Sequence, residues 1–160
     1  MNLRRHIVLG LATALAGVAA PRAQTAAGQV RRVGLLAQGS RLNAIRLSKP
    51  FYEEMARFGW VEGRNVVYDV AAADGQIANL PRVAAELVAR GPNVIIVGST
   101  TTARAAMQAT TTIPILFADI ATPVEEGLVN SLARPGGNVT GIAAHFDCGR
   151  RLEFVFFQPV

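Results

Sequence analysis

The stretch Gly98-Ser99-Thr100-Thr101-Thr102 puts four hydroxyls directly after an apolar run, Asn93-Val-Ile-Ile-Val97. If that run is a buried strand, the hydroxyls lie where a helix would begin. Free N–H groups at a helix start, joined by side-chain donors, make a seat for a carboxylate or a phosphate. Ser99 or Thr100 would equally serve as a plain helix cap, because hydroxyl residues are favoured there. Spacing alone leaves both roles open. Asp119 ends a second apolar stretch, Ile113 to Ala118. It suits a ligand ammonium, the cap of a following segment or the bracing of a loop.

Other constellations are not assembled. No GxGxxG follows the first apolar run and no GxxxxGK[ST] occurs, so the glycine loops of nucleotide sites are lacking. His6 and His145 stand far apart, which leaves neither a metal site nor a Ser-His-Asp triad. Cys148 near His145 does not by spacing make a nucleophile–base pair. Asn138-Val-Thr140 fits a glycosylation sequon but more simply begins a strand. No catalytic group, metal or cofactor is expected.

The elements that must position these residues read as strands alternating with helices. Val33 to Ala37 is a short buried strand ending at Gln38-Gly39-Ser40. Pro50 suits a first helical position, Phe51, Met55 and Phe58 follow at helical spacing, and Gly59 is the stop. Trp60 to Asn65 is a structural turn with Trp60 half buried, and Val66 to Ala73 is a second strand ending at Asp74-Gly75. Asn79 and Pro81 open a second helix with Val83, Ala84, Leu87 and Val88 on its inner face. Strand three is Asn93 to Val97, followed by a helix from Thr100 to Ala109. Strand four is Ile113 to Ala118, with Pro114 near its start where a missing N–H is tolerable. Thr122-Pro123-Val124-Glu125 matches a capping box for a fourth helix with Leu128, Val129 and Leu132 inward. After the Arg134-Pro-Gly-Gly-Asn138 turn, Val139 to Ala143 is strand five. Apolar strands separated by helices pair in parallel with helices on both faces. The expected fold is an open, doubly wound parallel α/β sheet of about five strands. In such sheets ligands bind outside the carboxyl ends of the strands. That rule selects Gln38–Ser40, Asp74–Gly75, Gly98–Thr102, Asp119–Thr122 and the stretch after Ala143.

Arg4 and Arg5, an uninterrupted apolar or small run from Ile7 to Ala20, and small residues up to Gly28 follow the order of a secretory signal peptide. The expected organisation is a signal over residues 1–27, one α/β lobe over 28–144 and an atypical tail over 145–160. The formal charge is +5 from 16 basic and 11 acidic residues. Without Arg4, Arg5 and Arg22 it falls to about +2, no footprint for a phosphate backbone, so nucleic acid is excluded as a partner. A single cysteine excludes an internal disulfide framework.

Two motifs carry a resemblance: Gly59-Trp-Val-Glu-Gly-Arg-Asn-Val66 and Ser131-Leu-Ala-Arg-Pro-Gly-Gly-Asn-Val-Thr-Gly141. With the segments between them, Val33 to Ile142 resembles the bacterial periplasmic substrate-binding proteins of an ABC-transporter family linked to aromatic amino acids such as tryptophan. The resemblance implies the type I periplasmic-binding-protein fold, whose two α/β lobes close on a ligand, with this chain as the N-terminal lobe. It implies ligand contacts at Gln38, Gly39 and Ser40, at Ser99, Thr100 and Thr101, and at Asp119. The helix-start hydroxyls would hold an amino acid's carboxylate and an acidic group its ammonium. The family's aspartate-proline pair before the fourth helix is here Thr122-Pro123. Family members are much longer and the match fades after Ala144, so a chain truncated to its first lobe is expected. The implied role is that of a periplasmic receptor passing an amino acid or related small carboxylate to an ABC permease in the inner membrane. The alternatives are an exported small α/β hydrolase, a sugar-binding regulator on the same fold, and a gene fragment without function. The chain as given is expected to bind ligand weakly or not at all.

Overall fold

Side-chain alternation along the strands sets the two faces of one sheet. The computed structural model describes residues 29–118, 120–131, 133–146 and 152–156. Its strands are β1 (Arg31–Ala37), β2 (Val66–Ala72), β3 (Val94–Val97), β4 (Ile115–Ala118), β5 (Val139–Phe146) and β6 (Leu152–Phe156). The helices are α1 (Arg41–Arg57), α2 (Leu80–Ala89) and α3 (Thr100–Ala109). The strand order is β2-β1-β3-β4-β5-β6. The first five strands are parallel, and β6 pairs antiparallel with β5, Phe156 opposite Ile142 and Leu152 opposite Phe146.

Ile95, Val97, Ile115, Phe117 and Val139 point to one face, where Val83, Ala84 and Leu87 of α2 and Ala103 and Ala106 of α3 close the larger core. Gly34 lets this layer approach: a Cβ there would stand 3.1 Å from Leu87 Cδ2. Val33, Leu35, Val66 and Val70 point to the other face, against Ala44 and Tyr52 of α1, Trp60 and Tyr68. Helices therefore lie on both faces, as doubly wound topology requires. Beyond α1 this second face is less covered, and Val94, Ile96, Leu116 and Ile142 are half-buried.

β2 is an edge strand, and its outward carbonyls are partly masked. Ala73 N–H donates to Ala37 O and Arg31 N–H to Asn65 O, so odd-numbered residues face β1 and even ones face out. The Arg41 guanidinium donates to the outward Val70 carbonyl, and Gly63 N–H to that of Val66. Such masking limits pairing with another chain.

The structure departs from the sequence reading in three elements, the first being β6, an antiparallel sixth strand beyond the five parallel ones expected. α1 begins at Arg41 with Ser40 as its cap, and Pro50 lies inside it rather than opening it. The capped helix expected over Thr122 to Leu132 is a series of turns among its described residues. Glu126 N–H reaches Thr122 O, but Gly127 then adopts φ +67° and diverts the chain. Leu128 and Val129 are buried as expected, and Leu132 lies outside the described residues. The Trp60–Asn65 turn is structural. Asn65 accepts from Val61 N–H through Oδ1 and donates through Nδ2 to Gly59 O. Residues 1–28, with the signal reading, and 147–151, with Cys148, lie outside the described residues.

Candidate ligand-binding site

In the order 2-1-3-4-5 the switch point falls between β1 and β3, because α1 leaves β1 on one face and α3 leaves β3 on the other. In open α/β sheets the ligand crevice lies at such a point, beyond the carboxyl ends of the strands. The two loops that border it are Gln38–Ser40 and Gly98–Thr101. Six of the seven expected contact residues therefore sit at one place in the fold. The seventh, Asp119, lies outside the described residues.

α3 starts with a reciprocal cap. Ser99 Oγ accepts from Thr102 N–H at 3.3 Å, and Thr102 Oγ1 accepts from Ser99 N–H at 3.2 Å. Thr102 Oγ1 also donates to Ser99 O at 2.9 Å and is itself 2% exposed, which anchors the first turn in the core. The Ser99 side chain is thus engaged in capping. Among the described residues no hydrogen bond occupies the Thr100 or Thr101 side chains, which are half-buried and exposed. The first N–H groups of a helix have no partner within it. Thr100 and Thr101 accordingly leave two backbone N–H groups and two hydroxyls available in the first turn of α3, just beyond the end of β3. No acidic residue lies in this first turn.

Across the crevice, Ser40 Oγ accepts from Asn43 N–H at 3.3 Å and caps α1. Its loop is tied to the end of β2: Gly75 N–H donates to Gln38 O at 2.9 Å and Asp74 N–H to Gly39 O at 3.2 Å. Asp74 Oδ1 accepts from Arg41 N–H at 3.3 Å. The Asp74–Gly75 loop was selected from sequence as a strand end, but the clamp it makes was not foreseen. Beside it, on the outer edge of β2, a cavity of about 230 Å³ is lined by charged groups that include Arg41, Arg82, Glu86 and Arg90. Arg82 and Glu86 pair across one helical turn.

No group of three or more His, Cys, Asp or Glu side chains with metal-binding geometry occurs among the described residues. The perturbed titratable groups lie away from the crevice. Burial between α1 and the sheet raises the phenol pKa of Tyr52 and Tyr68, whose rings stand 4.3 Å apart, and Glu62 adds to the rise. Ser48, one turn before Tyr52, offsets part of its rise by hydrogen bonding, whereas the Tyr68 oxygen is buried without a hydrogen-bond partner.

A fold and crevice of this kind define a class that binds between strand ends. The family of ABC transporter substrate binding proteins matches residues 39–158. The chain belongs to this family. It is 34% identical over 110 residues to a tyrosine-binding protein of Clostridioides difficile, an alignment spanning 69% of this chain and 32% of that one. Two solved structures share the fold: a conserved domain protein of Vibrio cholerae (TM-score 0.66, 30% identity) and an ABC domain in complex with L-Trp from Streptococcus pneumonia (TM-score 0.65, 27% identity). Each matches 73% of this chain, and 40% and 39% of its own length. The chain thus spans about a third of the curated relative and two fifths of the solved ones. The family is one of substrate binding proteins rather than enzymes, and the hydrolase alternative finds no support in it.

Proposed function

We propose that this chain is the first lobe of a periplasmic receptor, one that carries an amino acid or related small carboxylate to an ABC permease. The observation behind this reading is the start of α3, where Thr100 and Thr101 offer four donors at the topological switch point with Ser99 already spent on the cap. A ligand carboxylate seats on those donors, favoured by the positive end of the helix. Gln38, Gly39 and Ser40 border it from the β1 side, and Asp119 is the candidate partner for its ammonium. The relatives' tyrosine and L-Trp support an aromatic amino acid. Residues 1–27 are the export signal that brings the chain to the periplasm. No catalysis and no cofactor enter this role.

One lobe supplies only its own share of the contacts, so the affinity is expected to be weaker than micromolar. The test is a thermal-shift screen of the chain against amino acids and small carboxylates, because a ligand bound by the native state alone raises the melting temperature. A cooperative melt raised by millimolar aromatic amino acid supports the reading. A cooperative melt unmoved by every carboxylate fits a lobe that holds no ligand by itself, and a shift produced equally by compounds without a carboxylate contradicts the reading.

A further inference from the structure

The cavity of about 230 Å³ on the outer edge of β2 takes no lining residue from the Gln38–Ser40 or Gly98–Thr101 loops. The edge strand itself lines it, at Val70 and Ala72. Both are even-numbered, so their N–H groups point away from β1, and among the described residues neither meets an acceptor. One outward acceptor of that edge is already taken, because the Val70 carbonyl receives the Arg41 guanidinium. The edge therefore presents more free donors than acceptors to the cavity.

Charge on the α2 side adds to that preference. Arg82, Glu86 and Arg90 follow at intervals of four, from the first turn of α2 to its C-cap, and share one stripe. Glu86 has an arginine one turn away on either side and pairs with Arg82. Arg90 is exposed, and among the described residues its guanidinium has no hydrogen-bond or ion-pair partner. Asp74, the other acid of the lining, is engaged on Arg41 N–H. Three guanidinium groups thus line the cavity with two carboxylates, and both carboxylates already hold a donor.

We infer that this cavity binds a small oxyanion of the phosphate class, at a site separate from the start of α3. A tetrahedral oxyanion accepts at several oxygens at once, from the Val70 and Ala72 N–H groups on the strand side and from Arg90 on the helix side. The planar fork of arginine suits two such oxygens together. The cavity is smaller than the roughly 300–1,000 Å³ of pockets for drug-sized ligands, which fits a phosphate alone or on a compact remainder. Glu86 competes with the anion for Arg82 and so weakens its binding.

The test is an amide chemical-shift titration of the full chain with inorganic phosphate and with glycerol 3-phosphate, against sodium chloride at equal ionic strength. The Val70 and Ala72 amides should move saturably with phosphate and stay in place with chloride. Arg90→Gln should weaken the binding about tenfold or more, and Glu86→Gln, which releases Arg82, should tighten it. Both side chains are exposed, so neither variant should unfold the protein. Tighter binding of inorganic phosphate assigns the free ion, tighter binding of the ester assigns a phosphorylated small molecule, and either upholds the inference. It is overturned if chloride moves the two amides as phosphate does, if phosphate leaves them in place, or if Arg90→Gln binds as tightly as the unaltered protein.

Discussion

Replacing Ser99 separates its two possible roles, helix cap and ligand contact. Ser99→Ala removes the acceptor of Thr102 N–H and a 2.9 Å contact with Thr102 Oγ1. Thr102 Oγ1 keeps Ser99 O and Ser99 N–H, so the turn loses one bond rather than its anchor. Loss of such a cap costs about 1 kcal/mol, which lowers the melting temperature of a domain this size by roughly 3–6 °C. Ser99→Asp keeps a side-chain acceptor for Thr102 N–H and adds a charge favourable to the helix start, so its stability should stay within about 0.5 kcal/mol of the original. The same carboxylate stands beside the Thr100 and Thr101 donors and should abolish carboxylate binding. Urea unfolding gives the stabilities, and an amide titration with L-tryptophan gives the binding. A Ser99→Asp protein that is stable and still binds would refute the assignment of the α3 start as the seat. A Ser99→Ala protein as stable as the original would refute the capping account.

Further outcomes concern the sheet and its two cores. Gly141→Ala should be among the most damaging single substitutions, because the added methyl would meet the Phe117 carbonyl oxygen and stand 2.5 Å from its ring Cγ; urea unfolding should show a loss of about 3 kcal/mol or no fold at all. Leu87→Ala empties a fully buried site under Gly34 and should cost about 2–5 kcal/mol, read from the same assay. Tyr52 and Tyr68 have phenol pKa values raised by burial, so their contribution is complete below pH about 10 and lost as pH rises through the raised folded values. The urea midpoint should hold up to about that pH and then fall, and Tyr52→Phe with Tyr68→Phe should flatten the fall. The Tyr68 oxygen is buried without a partner, so Tyr68→Phe should not cost stability at pH 7.

The parts of the fold legible in the sequence are those whose signals are local. Val94–Val97 and Ile115–Ala118 are uninterrupted apolar runs ended by Gly98 and Asp119, and such runs fit strands buried on both faces. Val83, Ala84 and Leu87 repeat at helical spacing and are buried as that spacing implies. The first half of α1 was hidden because its pattern is inverted. Leu42 is 81% and Leu47 68% exposed, while the inward positions are held by Ala44 and Ser48. No apolar stripe marks that turn, and Pro50 read as a start although the helix runs through it at a cost of about 3 kcal/mol.

Thr122-Pro-Val-Glu125 carried a sound start signal, yet a helix needs a continuation. Gly127 in left-handed backbone and the Asn130 N–H bond to Pro135 O turn the chain instead. The site was legible only as a set of strand ends: alternation selects five such loops, the resemblance singles out those after the first, third and fourth strands, and the switch point follows only from the strand order of the folded sheet. The Asp74 clamp was not, since its partners Gln38, Gly39 and Arg41 are far away in sequence and meet it only once β1 and β2 are paired.

The central claim is that the start of α3 takes the carboxylate of an amino acid. Its most direct measurement is an amide titration of the full chain with L-tryptophan and, in parallel, with tryptamine, which lacks only the carboxylate. The account predicts that L-tryptophan moves the Thr100 and Thr101 amides most and that tryptamine leaves them in place. Equal shifts from both compounds, or shifts from L-tryptophan centred on another element, would contradict it.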